Sequence, residues 1–286
     1  MKTKKRVCAS CLNFNFKKTL KSSKKHKPKW LNKIDYVEKF INNYTNFSNS
    51  YPKKYNKIMK LYVGKKHANK KILYWAARPP DNNNILINDA KTAYGNFNNS
   101  GVSSVDKYGF SIIKFLIPQN YKTTIKKGKT SSTFFKHIHF VISNNNNNNN
   151  TWNNQIYTKL VNNNYYYKDF IKKLNSKKYI VLNVLPSHIY AKDHIPNTYN
   201  LPYNKISKMT NNELNNYFKE LINLHYPLLK KLLNLKKLEY YELPIICYCA
   251  HNKCSASKIA CEKLMKKGFV NVNLFEDGMK KYRTNN

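Results

Sequence analysis

The feature that most constrains the fold is an apolar strand that runs straight through a cysteine-rich loop into a helix. Pro244 precedes a continuous apolar run over 245–249. A run of that length without polar alternation reads as a strand covered on both faces. A helix follows over about 255–267, with Ala256, Ile259, Ala260 and Leu264 on one side and Gly268 as its stop. The same alternation extends to either side. Phe170, Ile171 and Leu174 line one side of a helix over 168–175, and 179–184 is a second apolar strand. Thr210 and Glu213 form a capping box that opens a helix over about 210–224, striped by Leu214, Tyr217, Phe218, Leu221 and Ile222 and interrupted by Pro227. A third strand spans 270–275. Strand–helix alternation implies a parallel sheet with helices on both faces, and such sheets bind ligands beyond the carboxyl ends of their strands. Cys249 lies at one of those ends.

The loop Cys249-Ala250-His251-Asn252-Lys253-Cys254-Ser255-Ala256-Ser257 therefore carries the expected chemistry. Backbone N–H groups at a helix start, the helix dipole and Lys253 all favour an anion, so a thiol placed there is expected to lose its proton readily. The cradle suits thiosulfate, phosphate or a persulfide, with Ala250, His251, Asn252, Lys253, Ser255 and Ser257 as its anion-binding residues. Cys247 inside the strand and Cys261 in mid-helix read as core-filling thiols. Cys249 reads as the nucleophile. His251 fits either an anion contact or a solvated side chain.

With these residues in place, the segment resembles the active-site strand, loop and helix of the rhodanese family. Leu182-Asn183-Val184-Leu185-Pro186 resembles that family's IDVR strand end, and the stretch from Asp193 to Pro202 resembles its GHIPGAINIP motif. Phe269-Val270-Asn271-Val272 with Asp277-Gly278 resembles its closing GFxNV…GG element. The resemblance implies a sulfurtransferase that needs no cofactor. Sulfane sulfur would pass from a donor such as thiosulfate through a persulfide on Cys249 to a thiol or cyanide acceptor. It also departs from the family. Cys254 and Ser255 stand where the usual arginine would be, Asn183 replaces an Asp, and the loop is slightly longer. Without an arginine to clamp phosphoryl oxygens, sulfur transfer is favoured over phosphatase activity. Cys254 would serve as a resolving thiol that forms a disulfide with Cys249. The missing arginine also leaves open a catalytically silent rhodanese-fold binding or regulatory module. His194, inside the motif, is expected to make a structural hydrogen bond.

Upstream the pattern is different. Trp30, Ile34, Val37, Phe40 and Ile41 share a helical face. Short apolar runs over 72–77, 85–87, 112–117 and 134–142 then alternate with turn signals at 79–81, 99–101 and 106–109, as in an antiparallel β-sandwich. His137 and His139, two residues apart on a strand, point to the same side as paired metal ligands do. Together with Tyr74-Trp75-Ala76-Ala77 and the 101–109 stretch, this segment resembles the core of intradiol ring-cleavage dioxygenases. That resemblance implies ferric iron held by His137, His139, Tyr121 and Tyr94. Without metal, the two histidines are expected to be half-exposed on a sheet face. The expected organisation is a basic tail over 1–28, a helix and smaller antiparallel β-sandwich over 29–143, an Asn-rich linker over 144–164, and an α/β rhodanese-like parallel-sheet domain over 165–286.

Composition bounds the setting. The formal net charge is +38 over 286 residues, which implies non-specific attraction to polyanions. The cations are nearly all Lys, with Arg6, Arg78 and Arg283 as the only arginines, and abundant Lys, Asn, Ile and Tyr match drift toward AT-rich codons. Base-specific recognition leans on Arg, so it is not implied. The six cysteines are clustered rather than spread, which argues against a secreted disulfide scaffold and for a reducing intracellular compartment, the cytoplasm first. No apolar run is long enough to span a bilayer. The acid-free, Lys- and Ser-containing N-terminus also suits organellar targeting. Cys8 and Cys11 form half of a zinc site, with His26 as a remote third candidate, and read as incidental.

Overall fold

The structure is a computed structural model that describes residues 20–21, 35–79, 87, 89–123, 132–146, 149–153, 155–161 and 164–285. Cys8, Cys11, His26, Trp30, Ile34 and most of the 85–87 run lie outside them. The described residues divide into two compact units at Val161–Asn162. Among the described residues, no helix is long and apolar enough to cross a membrane.

The first unit contains strands β1 (Leu20–Lys21), β2 (Lys57–Tyr62), β3 (Lys71–Ala76), β4 (Ser100–Ser104), β5 (Phe110–Phe115), β6 (Tyr121–Thr123), β7 (Ser132–Phe134), β8 (His137–Asn146), β9 (Asn149–Trp152) and β10 (Tyr157–Leu160), with helices α1 (Asp35–Asn43) and α2 (Ala90–Tyr94). The main sheet runs β1-β10-β8-β3-β4, with β9 folded back on β8, and β2 pairs with β5 in a separate ribbon. All these pairings are antiparallel. Leu61, Ile113 and Phe115 of the ribbon pack against Ile72, Tyr74, Ile138 and Phe140 of the sheet, which closes a sandwich. The opposite face of the sheet is also covered. There Phe40 of α1 lies edge-on to Trp75 and stacks on Phe97.

Two sequence expectations change. Residues 99–101, read as a turn, instead lead into β4. Asn99 is buried and does the work of a backbone: its amide donates to the carbonyls of Ala77 and Leu116 and accepts from Leu116 N–H, each at 2.8 Å. Gly101 is needed for close approach, since a Cβ there would lie 2.4 Å from the Ser50 carbonyl oxygen and 2.5 Å from Tyr74 Oη. The stretch 144–164, read as a linker, supplies the end of β8 and all of β9 and β10. Trp152 anchors it. Its ring stacks on Phe47 at 4.3 Å, and its indole N–H donates to the Tyr44 carbonyl at 2.6 Å. The backbone ladder pairs Asn144 with Thr151 and Asn145 with Asn150, so the polar run needs no side-chain core of its own.

The second unit contains α3 (Tyr167–Asn175), β11 (Ile180–Asn183), α4 (Ser187–Lys192), β12 (Tyr199–Asn200), α5 (Tyr203–Lys208), α6 (Asn211–His225), α7 (Pro227–Asn234), β13 (Ile245–Tyr248), α8 (Ala256–Lys266), β14 (Val272–Phe275) and α9 (Gly278–Arg283). Its sheet has the order β12-β11-β13-β14 and is parallel throughout. Every residue of β11, β13 and β14 is buried, as the apolar runs require. Thr210 and Glu213 make the capping box, and Pro227 ends one helix by starting the next at its first position. Phe170, Val181, Ile246, Tyr248 and Phe275 form the core of one face. The elements not foreseen, α4, β12, α5, α7 and α9, are short.

A cysteine loop and a buried histidine–tyrosine cluster as candidate functional sites

Alternation along β13 puts Ile246 and Tyr248 in the core of one face and sends Cys247 to the other. Cys249 follows directly, fully buried at 0% exposure. The polar groups at its sulfur are Ser257 Oγ at 3.3 Å, the Cys254 carbonyl at 3.5 Å and the His251 carbonyl at 3.8 Å. Cys254 N–H donates to the His251 carbonyl at 2.9 Å and closes the loop into a tight turn. His251, Asn252, Lys253 and Ser255 are exposed, Ala250 and Cys254 half-buried, and Ser257 buried.

This geometry alters the electrostatic expectation for Cys249. Burial pushes its thiol above the ordinary value, Cys254 pushes the same way, and hydrogen bonding with Ser257 offsets part of the rise. Two carbonyls at the sulfur accept from a thiol and repel a thiolate. Lys253, expected to lower the value, stands in solvent. Cys261, beside Cys247, is held as a thiol far more strongly by its burial.

The loop is clamped from outside by the start of α9. Met279 N–H donates to the Cys249 carbonyl at 2.9 Å, and Lys280 N–H to that of Ala250 at 2.8 Å. Such contact requires Gly278. Its φ is +58°, and a Cβ there would sit 2.1 Å from the Cys249 carbonyl oxygen. His194 stacks on Tyr190 at 4.0 Å, and its Nδ1 bonds the Tyr190 carbonyl at 3.0 Å. The sequence pattern does not single out Tyr248 Oη, which accepts from Ile195 N–H at 3.0 Å and pairs with Thr198 at 2.8 Å, tying the 193–202 stretch to β13.

In the first unit, His137 and His139 are each only 5% exposed rather than half-exposed, because the face of the sheet that carries them is covered. Tyr94 and Tyr121, from α2 and β6, close on them. Tyr94 Oη lies 2.7 Å from Tyr121 Oη and 3.3 Å from His137 Nε2. Tyr121 Oη is 3.2 Å from His137 Nε2, which is 3.1 Å from His139 Nε2. His137 Nδ1 lies 2.6 Å from the Phe135 carbonyl, so that nitrogen carries the proton and Nε2 keeps its lone pair. His139 Nδ1 bonds Thr158 Oγ1 at 2.9 Å. Burial lowers the pKa of His137 to about 4, and burial with the neighbouring His137 lowers that of His139 well below its ordinary value, so both rings are neutral at neutral pH.

The donor set fits a metal ion. Ligands roughly 2.0 Å from a common centre stand about 2.8–3.3 Å apart at angles of about 90–110°; three of the four measured separations, 3.1–3.3 Å, lie in that range, and the Tyr94–Tyr121 pair at 2.7 Å lies just below it. A pair of dry, neutral imidazoles facing each other through Nε2 is the arrangement that a cation between them would stabilise. Among the described residues no group of three or more His, Cys, Asp and Glu could hold a metal. A metal ion here would need the two phenols as its remaining donors.

A sequence profile described as a rhodanese-like domain matches residues 166–285. Solved structures similar to this chain include a human single-domain sulfurtransferase, 12% identical, covering 43% of this chain and 96% of its own, with a TM-score of 0.33. A single-domain sulfurtransferase from Saccharomyces cerevisiae is 14% identical and covers 44% of this chain and 91% of its own, with a TM-score of 0.31. An uncharacterized protein from the same yeast is 19% identical over 43% of this chain and 92% of its own, with a TM-score of 0.31. No curated protein sequence matches the chain.

Two outcomes follow from the cysteine loop. Because burial raises the Cys249 pKa, the thiol form prevails through neutral pH, and alkylation of Cys249 is expected to keep rising above about pH 8.5, the ordinary thiol value. A rate that levels off near pH 7, measured by mass spectrometry of the 249-containing peptide, would contradict this. Gly278→Ala is expected to lower the melting midpoint by about 10 °C or more through the clash with the Cys249 carbonyl, with Gly95→Ala as the uncrowded positive-φ comparison.

Proposed function

Residues 166–285 form a rhodanese-like domain, and on that premise we propose that the protein transfers sulfane sulfur through a persulfide on Cys249. The observation that carries the proposal is the position of Cys249. It follows directly on β13, one of the two inner strands of the sheet, and opens the loop that runs into α8 within the matched segment. The Cys249 thiolate attacks the outer sulfur of a donor such as thiosulfate. A bond forms between Cys249 Sγ and that sulfur while the donor's S–S bond breaks, and sulfite leaves with the electron pair. An acceptor thiolate then attacks the outer sulfur and frees the Cys249 thiolate. Ser257 Oγ, at 3.3 Å, is placed to donate a hydrogen bond to the thiolate. The raised thiol pKa makes that bond the main local stabilisation of the anion. Cys254, whose carbonyl already touches the sulfur, is the candidate resolving thiol. The loop has no arginine, which favours sulfur over phosphoryl chemistry.

Thiosulfate treatment of the purified protein is expected to add one sulfur at Cys249, and Cys249→Ser is expected to abolish the gain while leaving the melting midpoint within a few degrees. Sulfur loading that persists in the variant would assign it to another thiol. Wild-type protein that takes up no sulfur from any donor would instead mark the domain as a binding module.

For the first unit, we propose a second reading carried by the converging donors. Tyr94, Tyr121, His137 and His139 bind a metal ion, with iron(III) suited to two phenolate oxygens and two imidazoles. Ferric iron in such a set supplies a Lewis-acidic centre of the kind that iron-dependent oxygenases use. The chain's own part is to hold both imidazoles neutral through burial, and to orient the rings through the Phe135 carbonyl and the Thr158 hydroxyl. Reconstitution with iron is expected to give near-stoichiometric bound metal and a visible phenolate-to-iron absorption band, both lost in His137→Ala. A protein that takes up no iron would overturn this reading.

A further inference from the structure

The outward face of the β2–β5 ribbon is the part of the molecule that neither site explains. The strands pair Ile58 with Lys114, Lys60 with Ile112, and Tyr62 with Phe110. The other face of the ribbon carries Leu61, Ile113 and Phe115 into the sandwich core, so these six side chains share the outward side. Exposure there is high: 57% for Ile58, 55% for Tyr62 and 60% for Ile112, with Tyr51 at 55% and Tyr108 at 61% beside them. Contiguous exposed apolar surface of this kind marks an interaction site. It is not purely apolar. Lys60 Nζ lies 4.3 Å from the Phe110 ring centroid, Lys114 Nζ 4.3 Å from that of Tyr51, and Lys107 Nζ 5.2 Å from that of Tyr108. Along a strip about 13 Å long between Ile58 and Tyr62, two isoleucines and two lysines lead to the Tyr62–Phe110 ring pair, with Tyr51 and Tyr108 flanking it.

We propose that this face binds single-stranded nucleic acid, with bases stacked on the exposed rings and phosphates neutralised by the interleaved lysines. Charge selects the partner. The chain carries +38, and a lysine-lined platform repels a basic surface and attracts a polyanion. The rings select within polyanions, because only a strand with free base faces can stack on them. The recognition uses base planes and phosphates alone, so ribose and deoxyribose strands bind alike and sequence matters little. Lysine point charges rather than arginine forks suit that mode.

The test is fluorescence anisotropy of the full chain with labelled 20-nucleotide oligo(U), oligo(dT) and a duplex of equal charge, in increasing salt. Both single strands are expected to bind more tightly than the duplex, with affinity falling steeply as salt rises. Tyr51→Ala/Tyr62→Ala is expected to weaken single-strand binding by about tenfold or more while leaving binding to heparin, a polyanion without bases, unchanged. Ultraviolet crosslinking of the wild-type protein to oligo(U) provides a readout independent of the variant's folding, and crosslinks are expected within 51–62 and 107–114. Equal affinity for strand and duplex, a parallel loss of heparin binding in the variant, or crosslinks confined to other segments would each overturn the proposal.

Discussion

The candidate active loop depends on one backbone contact, the seating of the first turn of α9 on the carbonyls of Cys249 and Ala250. A parallel strand that ends in a loop leaves carbonyl groups without sheet partners. Here Met279 and Lys280 N–H satisfy them, and the approach is possible only because residue 278 lacks a Cβ. The contact fixes where β13 stops and α8 begins, and so where the sulfur sits. It also explains why a short C-terminal helix belongs to the site at all. α9 is only six residues long, far too short to be stable alone, and it is held by Met279 in the core and by the loop it clamps.

Burial then decides the chemistry of both units, in the same direction. A dry environment disfavours whichever form is charged. At Cys249 that form is the thiolate, so the loop holds a protonated thiol, and the hydrogen bonding with Ser257 offsets only part of the rise. At His137 and His139 it is the imidazolium, so both rings remain neutral. Depth within the fold makes the thiol reluctant to ionise and the imidazoles reluctant to protonate, and it holds the phenol of Tyr94 protonated as well.

The α/β unit was largely legible in the sequence because its signals are local. Buried parallel strands are continuous apolar runs, Thr210 and Glu213 announce a helix start, and Pro227 and Gly268 announce boundaries. Its short elements were not legible, since six residues such as Ser187–Lys192 carry less than two helical turns of periodicity. The first unit was harder because its decisive contacts are remote in sequence. Asn99 resembles a turn residue until its partners at Ala77 and Leu116 are known, and the Asn-rich run resembles a linker until Trp152 is seen docked against Tyr44 and Phe47. Spacing identified the His137 and His139 pair. It could not show that Tyr94 and Tyr121 would arrive from separate elements, nor that a covered sheet face would dry the cluster. For Cys249 the position on the strand end was readable, but its depth was not, and depth reversed the expected direction of its pKa.

Both clusters are closed, and the covers over them differ in kind. Over Cys249 the cover is the run from Ala250 to Lys253, mostly exposed and turned back by the single Cys254-to-His251 hydrogen bond. Opening it breaks little beyond that bond and the Lys280 contact, and segments with few buried contacts are the ones that open locally. Over the histidine–tyrosine cluster the cover is aromatic. Tyr94 stacks on Phe97, Phe97 on Phe40, and Phe40 meets Trp75, which lies against His139. Exposing that cluster means separating a continuous stack of rings and wetting a core. The Cys249 loop is therefore a cover that a local fluctuation opens, whereas the ring stack opens only with the core of the first unit.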